Sequence, residues 1–145
     1  MLISQKKTKQ RGATLVEVLV AMVVMSLGIL GFSALQITGL SSNKVAMDRS
    51  HASILAYSIA DAMRANRTAA IAENYDRALG DAVPTGTSTA ETDISNWLTE
   101  IAARLPSGDG SIDVSAVTGE VTITIAWDES KSGAPSNSFS VRSRL

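Results

Sequence analysis

The chain contains no cysteine and few aromatic residues: two Trp, two Tyr and two Phe among 145 residues. Without cysteine it has no thiolate chemistry, no cysteine-ligated metal and no disulfide brace, so any folded part must be held by packing and strand pairing. The remainder of the chain, outside the apolar run of residues 13–35, is rich in Ser, Thr, Asp and Gly. This composition is sufficient for one small packed domain and argues against a large enzyme core.

The chain also lacks an excess of either charge, with 13 basic and 14 acidic side chains. The basic residues beyond position 12 are dispersed, so no phosphate-neutralising patch is visible and no nucleic-acid partner is predicted. The sequence contains no GxSxG elbow, no phosphate-binding loop and no plausible Ser/His/Asp arrangement. We therefore predict no catalytic residue, no cofactor and no enzyme activity.

What the chain does have is a long apolar run directly after a basic N-terminal stretch. Residues 13–35 carry one charged side chain, Glu17, and as a helix would extend about 35 Å, enough for a hydrocarbon core of about 30 Å. The basic cluster before the run, and the absence of Lys or Arg after it until Lys44, predict a cytoplasmic N-terminus and an external C-terminal part. The basic cluster comprises Lys6, Lys7, Lys9 and Arg11.

A secretory signal peptide is the first alternative, because it too joins a basic region to an apolar one. Its apolar region is shorter, however, and ends at a small-residue cleavage site followed by a change of composition. Here Ala34, Leu35 and Gln36 continue into further helix-compatible sequence. A retained membrane helix is therefore preferred.

Glu17 lies only a few residues into this apolar run, where a carboxylate facing lipid is unfavourable. An acidic residue at a helix centre costs about 2.5 to 3.5 kcal/mol, and less near an end. Glu17 therefore either reaches the headgroups or has a partner within the membrane. Both alternatives remain open from its position alone.

The sequence Arg11-Gly12-Ala13-Thr14-Leu15-Val16-Glu17 resembles the leader junction of class III prepilins. In that family a short basic leader ends in Gly, and the mature protein has Glu at its fifth position. The resemblance implies that prepilin peptidase cuts between Gly12 and Ala13 and methylates the new amino group of Ala13. Many major pilins have Phe where this chain has Ala13, which favours a minor subunit.

The cut that the resemblance implies would free a positive amine at Ala13 in an apolar filament core. Glu17 of one subunit could neutralise that amine on a neighbour, and Thr14 is expected to help position the pair. Such a buried ion pair gives little net stability but can set the register between helices. Glu17 and Thr14 are thus the predicted assembly residues, and Gly12 and Ala13 are the predicted processing residues.

Beyond the membrane run, the pattern predicts an α+β, pilin-like fold: a long spine helix packed on a small C-terminal antiparallel sheet. The predicted parts are a leader (1–12), a membrane and filament-core helix (13–35), an amphipathic continuation of the spine (36–72), and a head (73–145). Within the head we predict a connecting loop from Glu73 to Glu91 and a helix capped by Thr92 or Asp93. The remaining predicted elements are the helix Ile94–Leu105 and strands at about Ser111–Val117, Glu120–Asp128 and Ser138–Leu145, with a turn at Gly119.

This order of elements, with Trp in the central strand, resembles PilV-type minor pilins. The resemblance implies a structural subunit of the type IV pilus that primes or caps assembly, with other pilins, prepilin peptidase and the inner membrane as partners. It also implies a single-pass protein with its leader in the cytoplasm and its head in the periplasm, which later enters the filament. Two alternatives remain: a pseudopilin of a type II secretion system, and a membrane-tethered binding or enzymatic domain.

Polar candidates elsewhere are weaker. His51 has no second imidazole near it in the sequence, so a solvated or subunit-facing side chain is preferred over a metal site. The acidic residues of the head lack the spacing and the closing Glu of a helix-loop-helix calcium loop, and no metal is predicted. Trp97 and Trp127 are predicted core anchors. The acidic residues considered are Asp109, Asp113, Asp128 and Glu129.

Overall fold

A computed structural model describes residues 12, 14–130 and 135–145 of the chain. Within these residues a long apolar N-terminal helix is followed by two further helices and a small antiparallel sheet, which confirms the predicted α+β, pilin-like architecture. The elements are α1 (Leu15–Ala65), α2 (Arg67–Ile71), α3 (Thr89–Arg104), β1 (Asp109–Val114), β2 (Glu120–Trp127) and β3 (Asn137–Arg144).

The chain divides into two compact units, Met1–Ser42 and Asn43–Leu145. The described part of the first unit consists almost entirely of the N-terminal residues of α1, and every one of its side chains is exposed. The second unit contains the last residues of α1 and all the other elements. All the buried hydrophobic side chains belong to this second unit.

The core of the second unit lies between one face of α1, the apolar face of α3 and one side of the sheet. Its α1 members recur at helical spacing, and its β2 members alternate, as burial on one side requires. The indole Nε1 of Trp97 donates a hydrogen bond of 2.9 Å to the carbonyl of Leu55, which joins α3 to α1 inside the core. The principal members are Leu55, Ile59 and Met63 of α1, Ile94, Trp97 and Ile101 of α3, and Val121, Ile123, Ile125 and Trp127 of β2.

The three strands form a meander in the order β1-β2-β3, and both pairings are antiparallel. Gly119 closes the β1–β2 connection with a φ of 67°, a left-handed conformation that glycine adopts without strain. Its N–H donates to the carbonyl of Ser115 at 2.8 Å. The predicted turn at Gly119 and the position of Trp127 in the central strand are therefore confirmed.

The spine helix ends earlier than the predicted Ala72, because α1 stops at Ala65 and a separate short helix follows. Asn66 leaves the helical conformation, with φ −114° and ψ 48°. Its side-chain amide donates to the hydroxyl of Tyr75 at 3.2 Å. The bond from Asn66 to Tyr75 therefore accompanies the end of α1. The local sequence has no proline from which this end could be predicted.

The predicted cap of the head helix is wrong. α3 begins at Thr89, and its cap is Ser88, four residues before Thr92. The Ser88 hydroxyl accepts from the Glu91 N–H at 3.3 Å, and the Glu91 carboxylate accepts from the Ser88 N–H at 3.2 Å. These reciprocal bonds form a capping box, which satisfies two helix-end donors that a cap at Thr92 or Asp93 would leave free.

The strands differ from their predicted bounds at their ends. β1 runs from Asp109 to Val114 and not from Ser111 to Val117, because Ser115 already belongs to the turn and its N–H bonds to the carbonyl of Glu120. β2 ends at Trp127, one residue before the predicted Asp128. β3 is Asn137–Arg144, shifted by one residue from the prediction.

Candidate processing and assembly site

The N-terminus of α1 is closed by a hydrogen-bond pair between Thr14 and Glu17. The Glu17 N–H donates to Thr14 Oγ1 at 3.3 Å, and the Thr14 N–H donates to Glu17 Oε2 at 3.5 Å. The first regular helical bond follows, from the Val18 N–H to the Thr14 carbonyl at 3.2 Å. Thr14 therefore acts as the helix cap in a T-x-x-E capping box.

This geometry gives Glu17 a role within its own chain. Its carboxylate is turned back toward the N-terminus of the helix, where the helix dipole favours a negative charge. The bond from the Thr14 N–H is long, and only one carboxylate oxygen takes part in it. Among the described residues the second oxygen of Glu17 accepts no hydrogen bond, so it can accept one from another donor near the start of the helix.

The structure describes one of the two residues of the predicted cleavage bond, Gly12. Gly12 is exposed, and a Cβ built on it would meet no atom within 4 Å. Ala13 lies outside the described residues. The cleavage, the methylation of Ala13 and the pairing of Ala13 with Glu17 therefore stay predictions.

The first part of α1 exposes large apolar side chains on every side of the helix. Each is between 45% and 88% exposed in the single chain. A helix that is apolar all round needs an apolar environment, either lipid or other helices. The described helix is long and apolar enough to cross a membrane, judged by its length and composition. The exposed side chains are Leu15, Val16, Val18, Leu19, Val20, Met22, Val23, Val24, Met25, Leu27, Ile29, Leu30, Phe32, Leu35, Ile37 and Leu40.

The hydroxyl groups in this segment are satisfied by the helix itself. Ser26 donates to the Met22 carbonyl at 2.7 Å, and Ser33 donates to the Ile29 carbonyl at 2.9 Å. Such bonds let a serine lie in an apolar environment without an unpaired donor. Glu17 is thus the one charged group of the run, and its own bonds lie at the end of the helix.

Gly28 and Gly31 lie inside α1, and the helix passes through both positions without interruption. A Cβ at either glycine would meet no atom within 4 Å in the single chain. The glycines thus leave two shallow positions on the helix surface where another helix backbone could approach closely.

The other polar candidates do not gather into a site among the described residues. His51 lies half-buried on α1, and its Nδ1 is buried without a hydrogen-bond partner in the part of the chain that the structure describes. The same part contains no group of three or more His, Asp or Glu side chains that could hold a metal ion. Trp97 and Trp127 are both buried, which confirms their prediction as core residues.

Asp109, one of the acidic candidates, is engaged in structure. Its carboxylate accepts from the buried Arg77 guanidinium at 2.8 Å and from the N–H groups of Gly80 and Gly110 at 2.6 and 2.8 Å. Burial by itself raises the pKa of Asp109, but the bonds from Gly80, Arg77 and Gly110 outweigh it and hold the pKa below its usual value. This carboxylate fixes the loop before α3 to β1.

A family model described as the prokaryotic N-terminal methylation motif matches residues 7–33. The N-terminal segment carries a class III prepilin signal. This signal indicates a type IV pilin-like substrate of prepilin peptidase, a kind of protein that is typically structural. The signal and the apolar helix together indicate anchoring in a membrane. No curated protein and no solved structure gives a significant match to the chain.

The sequence pointed to Gly12, Ala13, Thr14 and Glu17, and the structure brings Thr14 and Glu17 into direct contact. The capping role of Thr14 was missed. The signal for it is visible in the sequence, because Thr followed three residues later by Glu at the start of an apolar helix is a capping-box pattern.

Proposed function

We propose that this chain is a minor pilin of the PilV type, a structural subunit that takes part in priming or capping a type IV pilus. The observation that carries the proposal is the prepilin signal over residues 7–33, joined to an α+β head on a long helix. Ala13 at the first mature position, and the order of elements in the head, support a minor subunit over a major one. The proposed division is leader (1–12), core helix (13–35), spine (36–72) and head (73–145), with α1 forming the spine only as far as Ala65 and α2 lying in the rest.

In the proposed path, the chain enters the inner membrane with its leader in the cytoplasm and its head in the periplasm. Prepilin peptidase cuts the Gly12–Ala13 bond and methylates the amine of Ala13. Gly12 has no neighbour that would meet a side chain in the fold, so a requirement for glycine there is best explained by the peptidase. The helix is kept, and its exposed apolar surface packs against the helices of other pilins.

Glu17 has two jobs in this proposal. In the single chain its carboxylate caps α1 through the Thr14 N–H. In the filament it pairs with the amine of Ala13 on a neighbouring subunit, and the charge of that amine makes this bond stronger than one from a neutral N–H. Since two buried charges are tolerable only when paired, a helix in the wrong register would be rejected.

The mature N-terminus tests the processing step. We expect mass spectrometry of the protein from membranes to find an N-methylated Ala13. A matched variant, Gly12→Val, should fold, because a side chain at position 12 would meet no atom of the chain within 4 Å. It should stay in the membrane at full length, because the peptidase is proposed to require glycine at that position. A mature protein that starts beyond Leu35, or a wild-type chain that keeps its leader, would overturn the proposal.

The assembly step is tested by two substitutions that separate the charge of Glu17 from its capping bond. We expect Glu17→Ala and Glu17→Gln both to be processed, and both to be strongly depleted from sheared pili. Gln keeps an oxygen that can accept from the Thr14 N–H but cannot neutralise an amine. Normal amounts of Glu17→Ala in sheared pili would exclude the pairing, and normal amounts of Glu17→Gln alone would reduce Glu17 to a helix cap.

Identifying the subunits that co-purify with the chain tests which kind of assembly contains it. Pilus subunits are the expected partners. Recovery with the pseudopilins of a type II secretion system, and not with pili, would overturn the assignment to a pilus and leave the processing step intact.

A further inference from the structure

The two outer edges of the three-stranded sheet differ in whether other parts of the chain cover them. The outer edge of β1 is covered by the loop before α3. Arg77 exchanges both backbone bonds with Ile112, each at 3.0 Å, and its guanidinium donates to the Gly110 carbonyl at 2.5 Å. The Asp76 carboxylate accepts from the Val114 N–H at 3.0 Å. Side chains and a single bridge thus close an edge that could otherwise pair with another strand.

The outer edge of β3 is open along its length. The pairing of β2 with β3 and the 2.9 Å bond from the Leu145 N–H to the Gly119 carbonyl fix the alternation of the ladder, so odd-numbered residues of β3 bond to β2. The N–H and C=O groups of the even-numbered residues point away from the sheet. Within the described residues none of these groups has a hydrogen-bond partner. The four residues are Ser138, Ser140, Arg142 and Arg144, all exposed.

The first half of β3, up to Ser140, has none of the charged side chains or prolines that usually protect an edge. The strand, NSFSVRSR, contains no proline and no lysine, and it pairs with β2 without a bulge over 8 residues. Proteins usually shield a long edge with such features, because an open ladder pairs readily with another chain. The short side chains of Ser138 and Ser140 leave the approach to the backbone unobstructed.

Arginine side chains lie on both faces of the sheet at the C-terminal half of this edge. On the exposed face are Arg142 and Arg144, and Arg144 also donates to the Thr118 carbonyl at 3.0 Å. The acidic residue paired across the strands from Arg144 is Glu120. Arg142 has no acidic partner among the described residues.

On the other face, arginines of the helices reach the same strand. Arg64 donates to Ser143 Oγ at 2.5 Å and also pairs with Asp61 at 2.6 Å. Arg67 donates to the Leu145 carbonyl at 3.3 Å. Among the described residues, the open edge is therefore flanked by four arginines and by two acidic side chains, Asp61 and Glu120.

We propose that the β3 edge binds an extended, acidic segment of a partner protein by strand addition. The backbone of that segment would pair with the four outward-facing residues of β3, and its side chains would alternate between the two faces of the enlarged sheet. Glu or Asp at alternate positions would then lie near Arg142 and Arg144, and at the intervening positions near Arg64 and Arg67. A second copy of this chain fits less well, because it would bring its own arginines to the same edge.

Peptide binding to the full chain in detergent micelles tests the proposal. The probes are two capped, fluorescently labelled peptides of the length of β3, 8 residues, one of alternating Val and Glu and one of alternating Val and Lys. We expect the Glu peptide to bind at least about tenfold more tightly than the Lys peptide, with affinity falling as salt rises. Hydrogen exchange should slow at the amides of Ser138, Ser140 and Arg142.

Two sets of variants locate the contact. Ser140→Pro removes an N–H that points away from β2, so it should abolish binding, while the matched Ser140→Ala should bind like the wild type. Near-ultraviolet circular dichroism checks that the proline variant is folded. If it is not, the double variant Arg142→Glu, Arg144→Glu decides, and it should reverse the preference in favour of the Lys peptide.

Several results would overturn the proposal. They are failure of both peptides to bind, equal binding of the two, and undiminished binding to a folded Ser140→Pro. Protection of the β3 amides that rises with protein concentration, without peptide, would also overturn it, because a second copy would then cover the edge.

Discussion

Gly110 lies in β1 where side chains of α3 come very close to the strand. A Cβ built on it would overlap the ring of Trp97 and lie 3.0 Å from Cδ1 of Ile101. The absence of a side chain at position 110 leaves room for the indole ring of Trp97, whose Nε1 donates to the Leu55 carbonyl. One glycine thus sets the distance between two elements of the head.

We expect Gly110→Ala to lower the free energy of unfolding by about 1–3 kcal/mol, because the added methyl overpacks a site where the ring cannot move freely. Urea denaturation followed by tryptophan fluorescence measures the change. The matched variant Ser138→Ala, on the exposed face of the same sheet, should stay within about 0.5 kcal/mol of the wild type. An equally small effect at Gly110 would contradict this packing.

Tyr75 joins three parts of the head through its hydroxyl group. The hydroxyl donates to Asp93 Oδ2 at 2.5 Å and accepts from the Asn66 side chain at 3.2 Å. Burial, followed by the bond to Asp93, raises the pKa of Tyr75 from 10.0 to about 12. The neutral hydroxyl therefore stabilises the fold below the ordinary pKa, and this contribution is lost as the pH rises through the higher one.

We expect Tyr75 to titrate at about 12 in the folded protein and near 10 in urea. The chain has two tyrosines, so Tyr57→Phe leaves Tyr75 as the one that contributes tyrosinate absorbance. In that background Asp93→Ala should lower the pKa of Tyr75, because the acceptor is gone. A pKa of Tyr75 in the folded protein equal to that in urea would contradict the buried network.

At the scale of the element, α1 and α3 begin with the same device. Thr14 with Glu17, and Ser88 with Glu91, form reciprocal bonds between a hydroxyl side chain and a Glu three residues later. The bonds from the Ser88 side chain and backbone lower the pKa of Glu91. Both boxes depend only on local spacing, and therefore both could have been predicted from the sequence.

We expect Ser88→Ala to lower the free energy of unfolding by about 1 kcal/mol, because the Glu91 N–H at the start of α3 loses its acceptor, the Ser88 hydroxyl. Thr92→Ala, at the residue first predicted as the cap, is the matched control and should have little effect.

The pH dependence of stability gives a second test of this cap. Since the pKa of Glu91 is lowered, the contribution of Glu91 to folding stability is present above the ordinary pKa and is lost as the pH falls. The difference between wild type and Ser88→Ala should therefore shrink in acid, and urea denaturation at several pH values measures it. The reverse order of the two variants would contradict the assigned cap.

For the whole molecule, the division into two units follows from where apolar surface is buried. Every buried hydrophobic side chain lies between Ala52 and Trp127. None of the apolar residues that the structure describes in the first unit is buried in the single chain. The stability of the first unit must come from lipid or other helices, while the second unit has its own core.

We expect a fragment that begins at Asn43 to fold by itself and to remain soluble without detergent. It retains the whole core and loses the apolar helix surface that requires a membrane. Its tryptophan emission and near-ultraviolet circular dichroism should match those of the full chain in micelles. Strong binding of a hydrophobic dye by the fragment, or loss of its near-ultraviolet signal, would show that the fold of the second unit depends on the first unit.

The sequence by itself determined the N-terminal anchor and the prepilin signal, because both depend on residues adjacent in the chain: a basic leader, Gly12, Glu17 and an uncharged apolar run. It also determined the order of the head elements, since the alternation around Ile123 and the turn at Gly119 are local patterns. The end of α1 at Ala65, the closed edge of β1 and the open edge of β3 were decided by tertiary structure. The first two depend on contacts beyond the local pattern, Asn66 with Tyr75 and Arg77 with Ile112, and the third depends on the lack of such contacts along β3 among the described residues.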